Sequence, residues 1–491
     1  MEIESTLPAN LEAPTAARLP MSPPTRRALG VAGAALALGA LGDALLRPTP
    51  WGLNLALWTV ALVAAAVGLQ DWAETDDRVR GWMPLALAVA VLIAWRDSPT
   101  LKALDLTALL LILGLAVHRA RGGTIRLGGL AAYVGGLLTS FAEATFGSLL
   151  LLTKDVKWRE VPREGWSRHA LAVARGLALA IPLLLVFGAL LSAADARFER
   201  LLGGFDLDLP LAFSHVLLAL CFAWLAGGVL RALVLPGEPI ARPSEELRPP
   251  RPSLGIVELG TVLGSLDLLF LAFVVVQLPY FFGGTGLIEQ PGTTTYAEYA
   301  RRGFFELCAV AGMVLPLLLG SHWLLRRESP RHERAFRVLA AAMTALVFVM
   351  IASALHRMRL YQAAYGLTEL RLYTTAFMVW LAAVFGWFAW TVLRGRRERF
   401  AFGALAAGLE ALVVLHAVNP DALIVRVNAR RMSAEVPFDA RYAASLSADA
   451  VPALLAALPK LAPADRCLAT DRLLKRWDDA PADWREWSLG R

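Results

Sequence analysis

The sequence predicts an all-α fold: a polytopic membrane protein with about 11 spans (about 10–13 fit the pattern) and a small helical C-terminal cap. Hydrophobic residues make up 57% of the 491 residues and charged residues only 18%, where a soluble domain carries about 25%. The mean hydropathy is +0.53. Apolar runs such as MPLALAVAVLIAW recur along most of the chain, and such a chain could not cover its surface in water.

The N-terminal segment, residues 1–27, is rich in proline, alanine and small polar residues and is predicted to be disordered. The apolar run after it lacks a small-residue cleavage site, so we expect a first membrane helix and not a removed signal peptide. The predicted spans are 28–46, 51–69, 82–95, 101–117, 169–191, 211–235, 256–282, 303–325, 335–355, 371–393 and 400–418. A further apolar stretch, 127–152, contains five glycines and Glu143, and the pattern leaves open whether it spans, re-enters or lies along the interface.

A proline-rich segment, 235–255, divides the membrane region into two parts, 28–234 and 256–418. Its composition suits a stiff cytoplasmic linker. Residues 419–491 are less apolar and form the predicted external cap. The stretches SADAVPALLAAL and DRLLKRWDD within it are predicted to be short helices.

The distribution of basic residues predicts the orientation. With a cytoplasmic N-terminus and a stretch 127–152 that does not span, the inner segments hold about 26 basic residues and the outer loops about 10, the C-terminal tail uncounted. If 127–152 spans, the inner segments hold about 15 basic residues and the outer segments about 21. We therefore predict a cytoplasmic N-terminus and an extracytoplasmic C-terminus.

The stretch HRMRLYQAAYGLTELRLY, residues 356–373, is unusually polar and aromatic, and this topology places it outside. Gly366 should end any helix that reaches Tyr365, and Thr368 is a suitable N-cap for the following span. Tyr361 and Tyr365 are four residues apart and would share a helical face. We expect a short helix lying flat at the level of the headgroups.

Arginine, tyrosine and acidic residues converge on the predicted outer face in four such stretches, which are 194–210, 279–307, 356–373 and 416–431. Arginine beside tyrosine can bind phosphate, carboxylate or sugar groups, so we expect an anionic lipid headgroup or an envelope polymer as partner, besides the bilayer itself. The alternative is an ordinary aromatic belt with snorkelling arginines. The candidate site residues are Arg357, Arg359, Tyr361, Tyr365, Glu369, Arg371, Tyr299, Arg301, Arg302, Asn419 and Asp421.

Three acidic residues lie within apolar stretches, where ionisable groups are costly and often functional. They are Asp267, Glu410 and Glu143. Asp267 and Glu410 could form a proton or cation route. The alternative is that each makes a neutral hydrogen bond to a neighbouring helix, because no basic partner is evident at the same depth.

Several classes of function receive no support from the sequence. The three cysteines and seven histidines show no metal-ligand spacing, and no cofactor or nucleotide fingerprint occurs in a suitable context. The net charge of +7 comes mainly from arginines in short loops, so nucleic-acid binding is not predicted. The oligomeric state is left open.

Several motifs resemble a bacterial integral-membrane family known as a domain of unknown function, DUF 4173, with its relative DUF 4153. They are RMRLYQAAYGLTELRLYT, YARRGFFEL, ADARFERLL, VNPDALIVRVNARR, FDARYAASLSADAVPALL and DWREWSLGR. The resemblance covers most of the chain from about residue 130 onward. It implies a multi-pass protein of the bacterial plasma membrane and carries no catalytic assignment.

The leading hypothesis is a non-enzymatic protein that handles or senses a ligand or partner at the outer face, as a transporter-like or envelope-assembly protein. An enzyme acting on lipid-linked envelope substrates is the alternative. Asp195, Asp206 or Glu298 would then serve as acid or base, since these carboxylates lie outside the bilayer. A pure scaffold is a third reading.

Overall fold

The structure is a computed structural model that describes residues 21–70, 81–161, 208–235, 253–282, 304–326, 329–433, 437–478 and 483–490, with scattered positions between 173 and 194. The long helices are α1 (Pro23–Leu46), α2 (Leu53–Leu69), α3 (Trp82–Trp95), α4 (Pro99–Ala120), α5 (Leu130–Leu150), α6 (Leu209–Val234), α7 (Ile256–Phe282), α8 (Phe304–Leu324), α9 (Pro330–Tyr365), α10 (Glu369–Thr391) and α11 (Phe400–Val418). Shorter helices follow: α12 (Pro420–Arg431), α13 (Ala440–Ala443), α14 (Val451–Ala457) and α15 (Pro463–Asp478).

The predicted all-α polytopic class is confirmed. Within the described residues, nine helical segments are long and apolar enough to cross a membrane, and α2 and α3 are shorter apolar helices. Large apolar side chains point away from the bundle, including Val257 (78% exposed), Phe141 (73%) and Leu268 (69%). Exposed apolar surface of this extent is what a bilayer would cover. Most of the predicted span 169–191 lies outside the described residues.

Helix α9 differs from its prediction. The sequence predicts a span over 335–355 followed by a separate flat helix, but one helix of 36 residues runs from Pro330 to Tyr365. Hydropathy marks where a helix leaves the hydrocarbon and not where it ends. The extra stretch is rich in arginine, methionine, leucine and glutamine, which all favour helix. Gly366, at φ 78°, ends α9 as predicted.

The described connections divide between two ends of the bundle. At one end, which we call the cap end, lie 46–52, 95–98, 366–368 and the described residues after 419. The other end, the far end, carries 121–129, 156–161, 325–326 and 392–399. Contacts support this division: Leu53 N donates to Trp487 O (2.8 Å) at the cap end, and Thr25 Oγ1 donates to Glu160 Oε2 (2.7 Å) at the far end. The arginine count predicts the same partition of loops.

Both ends of α5 lie at the far end of the bundle. Near its start, Tyr133 donates to Ile125 O (2.9 Å), just beyond the end of α4. After its end, Asp155 accepts from Arg231 Nε (2.5 Å) in the last turn of α6. By length and composition, Ala132–Asp155 could cross a membrane. The contacts instead give it the geometry of a segment that enters and leaves on one side.

Small residues allow the first six helices to pack closely. A Cβ atom on Gly39 of α1 would lie 2.4 Å from Ala219 O of α6, and one on Gly228 of α6 would lie 2.4 Å from Glu143 O of α5. Close approach through small residues is a common way for helices to associate in membranes. Helix α11 packs on both α4 and α10 and so joins the first part of the bundle to the second.

The C-terminal residues form a helical unit with its own apolar core. Ile424 and Val425 of α12 pack there with Phe438, Leu454 and Leu473. Leu367, between α9 and α10, belongs to the same core, so this cap is packed directly on the bundle.

Candidate functional site

Buried charged residues concentrate where the cap meets the bundle. We call this set the cap junction. It consists of Arg96, Asp97, Lys102, Asp105, Glu369, Tyr373, His416, Asp421, Ser447 and Asp449. Asp97, Asp105, His416, Asp421 and Asp449 are all buried. Burial of so many ionisable groups is costly unless they are paired or protonated, so each needs a partner.

Two aspartates dock the cap on the start of α4. Asp449 Oδ2 accepts from the backbone N–H groups of Asp97 (2.6 Å) and Ser98 (3.1 Å). Asp97 Oδ2 in turn accepts from Ala448 N (3.4 Å), and its Oδ1 accepts from Lys102 (2.8 Å). Asp449 of the C-terminal cap therefore accepts backbone N–H groups at the start of α4, and Asp97 at the start of α4 accepts one from the C-terminal cap. The two interactions are reciprocal.

Arg96 links the cap to α11. Its Nε and Nη2 donate to the backbone oxygen of His416 at 3.0 and 2.7 Å. Nη1 lies 3.6 Å from Asp449 Oδ1. Its guanidinium also lies over the ring of Trp95, 5.0 Å from the centroid. A single cation thus bridges α3, α11 and the cap.

Asp421 and Asp449 are joined by one hydroxyl. Ser447 Oγ donates to Asp421 Oδ2 at short range and lies 3.4 Å from Asp449 Oδ2. Burial raises the pKa of Asp421, and the nearby carboxylates of Asp449 and Asp97 raise it further, although the bonds from Ser447 act in the opposite direction. Tyr442 OH accepts from Glu369 N (2.9 Å), and burial raises the pKa of this tyrosine as well.

The C-terminal residues cover the cap junction from the α1–α3 side. Leu489 N donates to Ala94 O (2.9 Å), and Arg485 Nη1 donates to Ala44 O (2.6 Å). Ser488 is fully buried. Gly490 packs against Asp449, where a Cβ atom would lie only 2.1 Å from Oδ1.

The predicted outer-face residues on α9 and α10 divide into buried and exposed groups. Arg357 turns inward and donates to Gln277 Oε1 of α7 (2.5 Å). Arg371 donates to the backbone oxygens of Tyr365 (3.0 Å) and Gly366 (2.6 Å), and its guanidinium lies 4.0 Å from the Tyr361 centroid. Tyr361 and Tyr365 share a face as predicted, with centroids 5.4 Å apart. Arg357 and Arg371 therefore hold the fold together.

Helix α12 is fixed to the end of α9. Arg431 Nη1 donates to Gln362 O (2.7 Å), and Nη2 donates to Ala363 O. Ala363 O is a carbonyl that the last turn of the helix leaves free, whereas Gln362 O also accepts from Gly366 N (2.9 Å), and cations suit that end. Asn428 exchanges two bonds with the backbone of Leu367, at 2.7 and 2.8 Å. Asn419 is the N-cap of α12 and accepts from Ala422 N (3.3 Å).

Exposed arginines remain on both of these helices at the cap end. We call Arg359, Tyr365, Arg426 and Arg430 the basic corner, and all four are exposed. Arg359 and Tyr365 lie in the last two turns of α9. Arg426 and Arg430 are one turn apart on α12. Among the described residues these arginines have no hydrogen bond or ion pair.

The predicted intramembrane acids have different surroundings. Glu143 pairs with Arg121 of α4 (3.0 Å) and Arg231 of α6 (2.8 Å), so the expectation that it lacks a basic partner is wrong. Both arginines start near helix ends, and their long side chains reach inward. Asp267 lies on α7, which packs on α9, and its oxygens have no hydrogen-bond partner among the described residues. Glu410 is exposed on α11.

Some predicted site residues lie outside the described part of the chain. These are Tyr299, Arg301 and Arg302 of the proposed recognition surface, and Asp195, Asp206 and Glu298 of the alternative enzyme. Among the described residues, no group of three or more histidine, cysteine, aspartate or glutamate side chains could hold a metal ion.

Sequence reasoning missed most of the cap junction. Asp105 lies inside the predicted span 101–117, so the rule that singled out Asp267 applied to it equally. His416 is fully buried and faces Asp105, and no local pattern relates these two residues. Asp97 precedes Ser98 and Pro99 at a helix start, a position where a partner for backbone N–H groups is expected.

The fold and its buried charges define a polytopic α-helical membrane protein. The chain belongs to the family described as Domain of unknown function (DUF4153), whose model matches residues 83–457. The described members of the cap junction and the basic corner all fall within this match. No curated protein and no solved structure matches the chain.

Proposed function

We propose that this chain is a non-enzymatic protein of the bacterial plasma membrane that recognises an anionic partner at its extracytoplasmic end, in a transporter-like or envelope-assembly role. The partner is a lipid headgroup or an envelope polymer, which share phosphate or carboxylate chemistry. In this proposal the N-terminus is cytoplasmic, and the cap end faces outward.

The observation that supports recognition is the basic corner. Arg359 and Tyr365 are exposed on α9 and Arg426 and Arg430 on α12, and Arg431 holds these two helices together at this end. Three guanidinium groups on two rigid helices can bind phosphate or carboxylate groups bidentately. Arg357, Arg371 and Arg431, in contrast, bond within the protein.

The test replaces only the exposed cations. A triple variant, Arg359→Gln with Arg426→Gln and Arg430→Gln, keeps Arg357 and Arg371, whose loss would disturb α9. Each basic residue near an anionic surface contributes about 1 kcal/mol, so three should weaken binding at least about tenfold. Binding is measured for phosphatidylglycerol in nanodiscs, against phosphatidylcholine, and for soluble polyglycerol phosphate. If the triple variant loses binding to only one of these two anionic probes, that probe identifies the partner as a lipid headgroup or as an envelope polymer.

The matched control removes three exposed arginines from the far end, by Arg396→Gln, Arg397→Gln and Arg399→Gln. It changes the net charge equally. An equal loss in both triple variants indicates non-specific electrostatics and contradicts the proposal, as does unchanged binding in the first.

A further inference from the structure

Asp105 and His416 form a buried pair that recognition at the basic corner does not explain. Their side chains are 1% and 0% exposed, and His416 Nε2 lies 3.2 Å from Asp105 Oδ2. Asp105 is in the second turn of α4, and His416 is in the last turn of α11. The pair therefore lies inside the bundle, just below the cap.

The hydrogen bonds of the imidazole determine how many protons the pair needs. His416 Nδ1 lies 3.0 Å from Leu412 O. A carbonyl oxygen can only accept, so Nδ1 carries a hydrogen. In a neutral ring Nε2 then has only a lone pair, and it faces a carboxyl oxygen. Two such atoms at 3.2 Å in a buried place repel each other unless a proton lies between them.

The surrounding charges do not supply a substitute for that proton. Neither oxygen of Asp105 has a hydrogen-bond partner among the described residues. Lys102, one turn earlier on α4, bonds to Asp97, and Arg96 bonds to the backbone of His416 and approaches Asp449. The other titratable groups of the cap junction, Asp421, Asp449, Glu369 and Tyr373, interact with one another. Among the described residues, no cation therefore bonds to Asp105 in place of that proton.

We propose that Asp105 and His416 form a proton-binding site that holds one exchangeable proton and exchanges it with the cap end. In one form the proton is on Nε2, giving imidazolium and carboxylate, and in the other it is on Asp105, giving imidazole and carboxylic acid. Release of this proton leaves the imidazole of His416 neutral and the carboxylate of Asp105 ionised. Ionisable groups of this kind inside helical bundles serve as proton carriers in membrane transport. Only the transport role rests on the proposed function, because the bound proton is a property of the isolated protein.

The test begins with the wild-type protein in nanodiscs, labelled with ¹⁵N-histidine. The chain has seven histidines, and His416→Gln assigns the signal of interest. We expect the His416 ring at neutral pH to be protonated on Nδ1, with Nε2 either protonated or strongly hydrogen-bonded. A neutral ring with its hydrogen on Nε2 overturns the proposal.

Asp105→Asn then removes the acid but keeps a side chain that can donate to Nε2. We expect His416 to become a neutral Nδ1–H tautomer, with loss of the imidazolium signal and of one titratable proton per chain. An unchanged number of titratable protons per chain in this variant overturns the proposal. Asp43→Asn is the control, since Asp43 contacts the partly exposed His215 (2.6 Å) at the same end. The basic-corner triple variant should leave the His416 signal unchanged, so failure of either proposal is distinguishable from failure of the other.

Discussion

Asp449 satisfies backbone donors that would otherwise be buried without partners at the start of α4. Its Oδ2 takes the N–H groups of Asp97 and Ser98, and hydrogen bonds to a charged group contribute about 1.5–3 kcal/mol. The cap therefore supplies the N-cap that α4 lacks in its own sequence, because Ser98 makes no side-chain capping bond. The same hydrogen bonds of Asp449 therefore complete the start of α4 and attach the C-terminal cap to the bundle.

Asp421 gives the docked cap a predictable dependence on pH. Its pKa is raised in the folded protein, so the folded state holds this proton more tightly than the unfolded state does. The resulting stabilisation is full below the ordinary aspartate pKa and is lost as pH rises through the raised value. We expect Asp421→Asn to remove this slope and to increase the free energy of unfolding at about pH 8 by about 1 kcal/mol. Thermal unfolding in nanodiscs between about pH 5 and about pH 8 measures both effects.

Asp471→Asn is the matched control, because Asp471 is an exposed cap carboxylate paired with Lys475 (3.0 Å). It should leave the pH slope unaltered, since exposed pairs contribute little. A slope that persists in Asp421→Asn, or that disappears in Asp471→Asn, contradicts the assignment to Asp421.

At the scale of elements, ionic contacts hold α5 to its neighbours. Arg231 of α6 pairs with both Glu143 (2.8 Å) and Asp155 (2.5 Å), near the middle and just past the end of α5. The side chain of Arg231 is only 10% exposed. Glu143 also pairs with Arg121, and with it borders a cleft lined by Val117, Phe146 and Leu150. These ionic contacts add to the close packing of α5 on α6, where a Cβ atom on Gly228 would lie 2.4 Å from Glu143 O.

Arg231→Ala should therefore be far more disruptive than loss of a surface arginine. It leaves two acidic groups partly buried without this cation, which costs about 3 kcal/mol in comparable pairs. Ser148 of α5 now donates to Trp224 O of α6 (2.5 Å). If α5 loses its contacts, the chain around Ser148 should become accessible to proteases and labelling reagents. Unfolding in detergent and limited proteolysis measure the two consequences. Lys475→Ala, at an exposed pair, is the control, and equal destabilisation by both variants refutes the special role of Arg231.

Hydropathy predicts which segments of this chain are helical more readily than where the helices end. The spans 82–95 and 400–418 match α3 and α11 because both helices end near the edge of the apolar run. Helix α9 continues about ten residues, roughly 15 Å, past its apolar run, because helix propensity and not lipid sets that boundary. The cap junction was out of reach for another reason: Asp97 and Asp449 lie 352 residues apart, and nothing local relates them.

At the scale of the whole molecule, charge is distributed unequally between the two ends. Buried carboxylates gather at the cap end, whereas exposed arginines such as Arg394, Arg396 and Arg397 occupy turns at the far end. Cytoplasmic loops carry an excess of lysine and arginine in multi-pass membrane proteins. The contacts that place 121–129 and 156–161 at one end agree with the grouping of loops that the arginine count assumes, because they leave α5 without a crossing.

This orientation makes a prediction that reporter fusions can check. Fusions after Thr124, Glu164 and Glu245 should fluoresce as cytoplasmic green fluorescent protein, and a fusion after Gly490 should show alkaline phosphatase activity. Thr124 and Glu164 bracket α5, so they report the same side only if α5 enters and leaves together. Opposite signals at these two positions mean that α5 spans the membrane. A cytoplasmic C-terminus places the basic corner and the cap junction inside, where an envelope polymer cannot reach them. Since about 26 inner and about 10 outer basic residues favour one orientation, a dual topology with mixed signals is not expected.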